Sequence, residues 1–259
     1  MAGWEDLAQL LPDVYRDTAK PSAQKVGQAL SSIVGLIVVP VGKAAEIGQN
    51  NLLRLVERLD KIPEASVTPV PPELGIPIYE KLRYTRGEEL ADLYIELFAK
   101  GATKEDQDKA HPSYFEIITN LSVDEAKILD YLNHSATSVN FPYIEVRSSE
   151  GDGSGKYIVA SKYFTLLPDE IEFYNPNNVQ MYLENLVRLG ILDDEQGIFL
   201  ADDNEYKPLI EHLKVLEMKR LIEESKRLFS TSKSCFSQSS FGETFLKACM
   251  PDVEIDVTG

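Results

Sequence analysis

Apolar positions recur along this chain with a spacing that changes several times. Residues 4–19 set Trp4, Leu7, Leu10, Leu11 and Tyr15 toward one side of a short helix that Pro12 breaks or kinks. Pro21 and Ser22 open a new helical stretch, since proline is tolerated in a first turn. Residues 26–42 (VGQALSSIVGLIVVPVG) then carry no charge, and from Lys43 a stripe of Ile47, Leu52, Leu55, Val56 and Leu59 resumes. The pattern over 21–61 predicts a helical pair, or one helix kinked around Pro40. Residues 62–78 hold five prolines and no helical period, which predicts a semi-extended strap.

Beyond the strap, helical spacing returns at 87–100, 112–120 and 122–133. The last begins with a capping box, Ser122 followed three residues later by Glu125. The alternating runs YIEVRS (143–148) and KYIVAS (156–161) flank the turn segment EGDGSG and predict a β-hairpin. A helix over 176–189 ends at Gly190, a helix-terminating glycine. The short element GIFLAD leads into a last long helix, about 206–230, striped by Leu209, Leu213 and Leu216. From Ser230 the composition turns serine-rich and predicts a loose tail, with one helical turn at 245–250.

These elements predict a mainly α protein: a helical N-terminal region followed by a C-terminal α+β domain. Helix, hairpin, helix and short strand make that domain winged-helix-like over 122–215. The expected organisation is a helical segment over 1–61, a proline-rich strap over 62–86, a helical body with a hairpin over 87–230, and a Ser-rich tail over 231–259.

Charge divides the chain in the same way. Met1 to Lys61 holds seven bases and seven acids, so the whole net charge of −16 falls on residues 62–259. An acidic surface repels nucleic acid, whose phosphates need clustered Lys and Arg. Cys235 and Cys249 lack metal-site spacing and nearby histidines, which argues against a zinc site or a disulfide framework. An acidic N-terminus unlike a signal peptide predicts a cytoplasmic protein, one that can sit peripherally on the inner membrane.

The charge-free run is long enough to touch the lower limit for a bilayer span, about 17 residues. Gly27, Ser31 and Gly35 recur every fourth position, which on a helix aligns a small-residue face with Val34 and Val38 beside it. Two readings stand. The run is a buried helix of a bundle, or it is a segment that meets a membrane at some stage.

Catalytic patterns are scarce. His111-Pro112-Ser113 precedes a helix, and its simplest role is a cap: His111 closes a loop, Pro112 starts the helix, and Ser113 bonds locally. EGDGSGK fails the phosphate-loop pattern, because Glu150 stands where glycine is needed and Tyr157 where Ser or Thr is needed. Asp193-Asp194-Glu195 and Asp202-Asp203 match no calcium-loop spacing and read as solvated turns. His134 and His212 have no partner nearby in sequence. No cofactor, metal or catalytic residue is expected, and the chain reads as a non-enzyme.

Three stretches carry a family resemblance: KPSAQKVGQALSSIVGLIVVPVG (20–42), RLVERLDKIPEASVTPVPP (54–72) and the run 88–132, which includes HPSYFEIITNLSVDEAKILDYL. Their order resembles the abortive-infection alpha (Abi-alpha) family of phage-defence proteins, over roughly residues 10–215. Tyr114 stands where the family would have an aromatic such as Phe, a change that leaves helix packing intact. The resemblance implies antiviral defence in a bacterium or archaeon and supplies no chemistry. It leaves two expectations: a defence protein whose N-terminal helices act on a membrane, or an acidic module that binds a phage or host protein. Expected partners are a phage component, a second defence protein, membrane lipid or a second copy of the chain.

Overall fold

The computed structural model describes residues 20–32, 43–134 and 140–251. The chain forms two compact units, one from the residues up to Ala126 together with those from Thr244 on, the other from Lys127 to Glu243.

The first unit is helical. It contains α1 (Lys20–Leu30), α2 (Lys43–Asp60), α3 (Pro72–Leu82), α4 (Glu88–Gly101) and α5 (Ser113–Thr119). It also takes the start of α6 (Val123–His134) and the end of a C-terminal helix (Ser240–Cys249). Helix α4 is apolar nearly all round, from Ala91 and Leu93 to Phe98 and Ala99, so it lies at the centre with α2, α3 and α5 against it. The stripe expected on α2 is buried at Leu52, Leu55, Val56 and Leu59. One turn apart, two ion pairs join α2 to α4: Arg54 with Asp92, and Arg58 Nε with both oxygens of the buried Glu96 at 2.7 and 2.9 Å.

The proline-rich stretch is only half a strap. Residues 67–71 run extended: Val67 bridges Thr103, and the Val70 amide donates to Ala29 O at 3.0 Å. From Pro72 the chain is helical, with Pro77 inside α3. Pro72 sits at the helix start, where its missing N–H is no loss, and Pro77 forfeits one backbone bond that the burial of Leu74, Ile78 and Leu82 outweighs.

The second unit surrounds a four-stranded antiparallel sheet. The predicted hairpin is β1 (Phe141–Ser149) and β2 (Tyr157–Phe164), joined through Gly151, Gly153 and Gly155, all at positive φ. After a short helix α7 (Leu167–Glu170), α8 (Val179–Arg188) ends at Gly190, φ 74, and leads into β3 (Leu192–Glu195). Helices α9 (Lys207–Ile210) and α10 (Leu213–Glu224), strand β4 (Leu228–Gln238) and helix α11 (Ser240–Cys249) complete the chain.

Three expectations change here. The Ser-rich tail after Ser230 is β4, which pairs β1 along nine residues and β3 along four, and α11 follows it. Its burial alternates only over 228–231 and is continuous over Ser234, Cys235 and Phe236, toward the end where β3 as well as β1 pairs it, so pairing with β1 and β3 decides what composition disguised. The strand order β2-β1-β4-β3 therefore puts an uncounted strand between the hairpin and β3, which the winged-helix-like expectation lacked. The long helix over 206–230 is broken at His212, whose extended backbone (ψ 138) resets the helical phase. As a result Leu213 is 81% exposed, and Val215 and Ile222 carry the buried face.

The sheet is covered on both sides. Ile144, Val146, Tyr206, Leu209 and Val215 form the core on one face, beneath α9 and α10. On the other face the rings of Tyr143, Tyr163 and Phe236 meet at 4.6–5.0 Å, and α8 packs on β2 and β3.

Candidate binding cleft at the edge of the sheet

Strand β2 is an edge strand, paired with β1 on one side only among the described residues. At its N-terminal half Tyr157, Ile158 and Val159 are 48%, 61% and 42% exposed. At its C-terminal end lies an open cleft of about 200 Å³. Its floor is Ser161, Tyr163, Phe164 and Thr165, so it lies against the strand edge. One wall is the start of α8, with Asn177 and Gln180, and the other is the start of α10, with His212 and Lys214. The two helices cover opposite faces of the sheet, so the cleft sits between the two helical layers.

His212 is the organising side chain. Its Nδ1 accepts the Lys214 amide at 3.2 Å and so caps α10. A nitrogen that accepts carries no proton, which assigns the ring proton to Nε2, 3.2 Å from Asp169 Oδ2. The ring also lies 5.2 Å from that of Phe164 on β2. Both nitrogens are thus occupied, and the histidine braces the cleft wall rather than offering a base. Lys214 is exposed at the mouth.

Behind the cleft, Asp194 on β3 gathers two phenols. Tyr143 donates to its Oδ1 at 2.5 Å and Tyr163 to its Oδ2 at 2.7 Å, with the Gln196 amide at 3.0 Å. Burial, and then the bonded carboxylate, push both tyrosine hydroxyls well above their ordinary pKa. The group is a neutral-phenol clamp on an anion, suited to holding the sheet edges.

The residues singled out in the sequence fall elsewhere. Helix α1 stops at Leu30, and Ser31 lies in the following turn, its hydroxyl donating to Gln28 O at 2.8 Å. Among the described residues nothing packs against the position where a Gly27 side chain would project, and Val26, Ala29 and Leu30 are the buried positions. Val34, Gly35, Val38 and the kink at Pro40 lie outside the described residues, as does the stretch 4–19.

At His111-Pro112-Ser113 the helix α5 begins at Ser113, so Pro112 stands one position before the first helical residue expected of it; His111 Nδ1 accepts the Ser113 amide at 3.1 Å and meets its hydroxyl at 2.7 Å. The capping box holds, with the Ser122 amide donating to Glu125 Oε2 at 2.6 Å. Of the acidic pairs, Asp202 accepts the Asn204 amide at 2.9 Å and caps a single turn, while Asp203 pairs with Lys233 at 2.7 Å. Asp193, Asp194 and Glu195 form strand β3, a correction to the solvated turn expected there. Among the described residues no cluster of His, Cys, Asp or Glu is placed to hold a metal ion, and no helix is long and apolar enough to cross a membrane. Both cysteines are buried free thiols, and burial pushes their pKa up.

Comparison with known proteins adds a family. The abortive infection alpha family matches residues 47–249. The chain belongs to that family. The match covers the helices of the first unit from α2 onward and the whole sheet of the second. No curated protein matches the chain. A solved structure of an uncharacterized protein from the hydrocarbon-degrading marine bacterium Alcanivorax borkumensis SK2 is similar to it, at 11% identity and a TM-score of 0.34, covering 56% of this chain and 94% of that one.

Sequence reasoning missed His212 and Asp169 because 42 residues separate them and only folding brings them together.

Proposed function

We propose that this abortive infection alpha protein serves phage defence by binding another protein, not by catalysis, and that the outer edge of β2 is where it binds. The supporting observation is the contrast between the two edges of the sheet. β3 is four residues long and carries three acids, the means by which proteins block strand pairing. β2 is eight residues long and holds no proline; although it carries Lys162 and its pairing with β1 is irregular beyond Val159, its start exposes three large apolar side chains in a row. An edge left this open offers backbone donors and acceptors to an extended segment of a partner.

The test is phage plating on cells that produce the wild type or Val159→Asp. Val159 is solvent-exposed, so the variant should keep its melting temperature within a few degrees. Protection should fall at least tenfold in plating efficiency. Full protection by a folded Val159→Asp protein defeats this reading.

The second reading is that the N-terminal helices act on a membrane, and it is supported by the charge-free sequence of 26–42. Against it, the described part of that run is tied to the protein: Val26, Ala29 and Leu30 are buried, and Gln28 Nε2 donates to Val67 O at 3.1 Å. Flotation with neutral and anionic liposomes separates the two. Protein that rises with lipid, and fails to do so as Val34→Asp, favours the membrane.

A further inference from the structure

The edge and the cleft are continuous. Ser161, Tyr163 and Phe164 belong both to β2 and to the cleft floor, so a chain laid along the edge passes directly into the space between the α8 and α10 starts. That continuity specifies the chemistry of the occupant, granted that β2 is the binding edge.

Charge is the discriminating feature. In a chain of net charge −16, the edge and cleft present Lys156, Lys162 and Lys214. Among the described residues Asp169 is the one acid lining the cleft; its bond to the neutral His212 at 3.2 Å leaves its charge in place, so it offsets one lysine, and Glu184 lies 3.5 Å from Lys162. Lys156 at one end of the edge and Lys214 at the other have no acid within ion-pair distance among the described residues. The start of α8, with its positive dipole end, faces the same cleft as Lys214. Tyr157 and Val159 on one face of the sheet and Ile158 on the other would each meet a side chain of an added strand, and a volume near 200 Å³ holds about one side chain.

We propose that the occupant is an extended, acidic peptide segment of a partner protein, which adds to the outer edge of β2 and places a carboxylate side chain in the cleft beside Lys214. The backbone supplies affinity through strand pairing, and the cleft supplies selection for negative charge.

The experiment uses the full-length protein, immobilised, and two synthetic pools of eight-residue peptides. Both pools alternate randomised Val, Ile, Thr or Tyr with a charged residue; one pool has Asp or Glu there, the other Lys or Arg. The acidic pool should be retained at least tenfold over the basic one, and Lys214→Glu should cut that preference at least tenfold while leaving the melting temperature unchanged. N-methylation of alternate backbone amides in a retained peptide should abolish its binding, as pairing along a strand edge requires. Equal retention of both pools, retention of neither, or indifference to N-methylation overturns the proposal. Failure is distinguishable from that of the broader reading: if Val159→Asp abolishes phage protection while the acidic pool does not bind, the edge acts on a partner of different chemistry.

Discussion

The hydroxyl of Tyr163 on β2 donates to Asp194 on β3 at 2.7 Å, although two whole strands lie between β2 and β3 in the sheet. Strand neighbours sit about 4.8 Å apart, so flat strands three steps apart would be separated by about 14 Å. The bond exists because the sheet curls until its edges approach over the Tyr143–Phe236 ring pair. Asp194 is thus the latch of the curl, and the cleft floor depends on it through Tyr163.

Replacing Asp194 with Asn should therefore destabilise the second unit. It removes a charged acceptor from two buried phenols, at about 1–3 kcal/mol. Tyr163→Phe removes one bond and should cost about 1 kcal/mol. Urea unfolding followed by tyrosine fluorescence measures both, and a loss for Asp194→Asn no greater than for Tyr163→Phe would show that the latch is not shared.

The same cluster sets a pH dependence. Tyr143 and Tyr163 are raised by burial and by the Asp194 carboxylate, while in the unfolded chain tyrosine ionises near pH 10. A raised folded value means that the unfolded state releases protons first as pH climbs. The contribution to stability is complete below about pH 10 and is lost as pH rises above it. Stability should fall between about pH 10 and 12, and the Tyr143→Phe/Tyr163→Phe double variant should show a shallower fall. Parallel slopes for the two proteins would contradict this.

In the first unit, Arg58 and Glu96 hold α2 on α4. Glu96 is 6% exposed, so Glu96→Ala leaves Arg58 facing a buried gap and should cost about 3 kcal/mol. Arg54→Ala, whose partner Asp92 is half-exposed, should cost about 1 kcal/mol or less. Thermal melts of the two variants test the ranking, and equal shifts would mean that burial of the carboxylate does not matter.

Much of this fold was legible in local sequence. The α2 stripe, the Ser122–Glu125 box, the hairpin with its three glycines and the Gly190 stop are each decided by residues within a few positions of one another. The errors share a cause. β4 forms by pairing β1, from Ser149 with Leu228 to Phe141 with Phe236, about 80 to 95 residues away, and Pro77 stays helical because distant side chains bury its neighbours. Leu213 and Leu216 share the leucine spacing of a core stripe, yet His212 rotates them to the surface. The cleft joins segments around residues 161, 169, 180 and 212, and no spacing in the sequence announces that meeting.

Glycine gives the sharpest contrast between a residue type that looks important and one that is. A methyl group on Gly242 would sit 2.1 Å from the backbone oxygen of Ile191, an approach that no rotamer relieves. Gly242→Ala must push α11 off the turn that follows α8, and it should cost about 3 kcal/mol or more, read as loss of soluble protein or a large fall in melting temperature. A methyl group on Gly27, inside α1, would meet nothing within 4 Å among the described residues. There alanine removes a helix-weakening residue without touching a neighbour, so Gly27→Ala should raise stability by about 0.5–1 kcal/mol. Were Gly27 instead part of a small-residue face packed closely on another helix, the same substitution would destabilise. The sign of that one melting-temperature shift therefore decides whether the Gly27 and Ser31 spacing is a contact surface or an accident of composition.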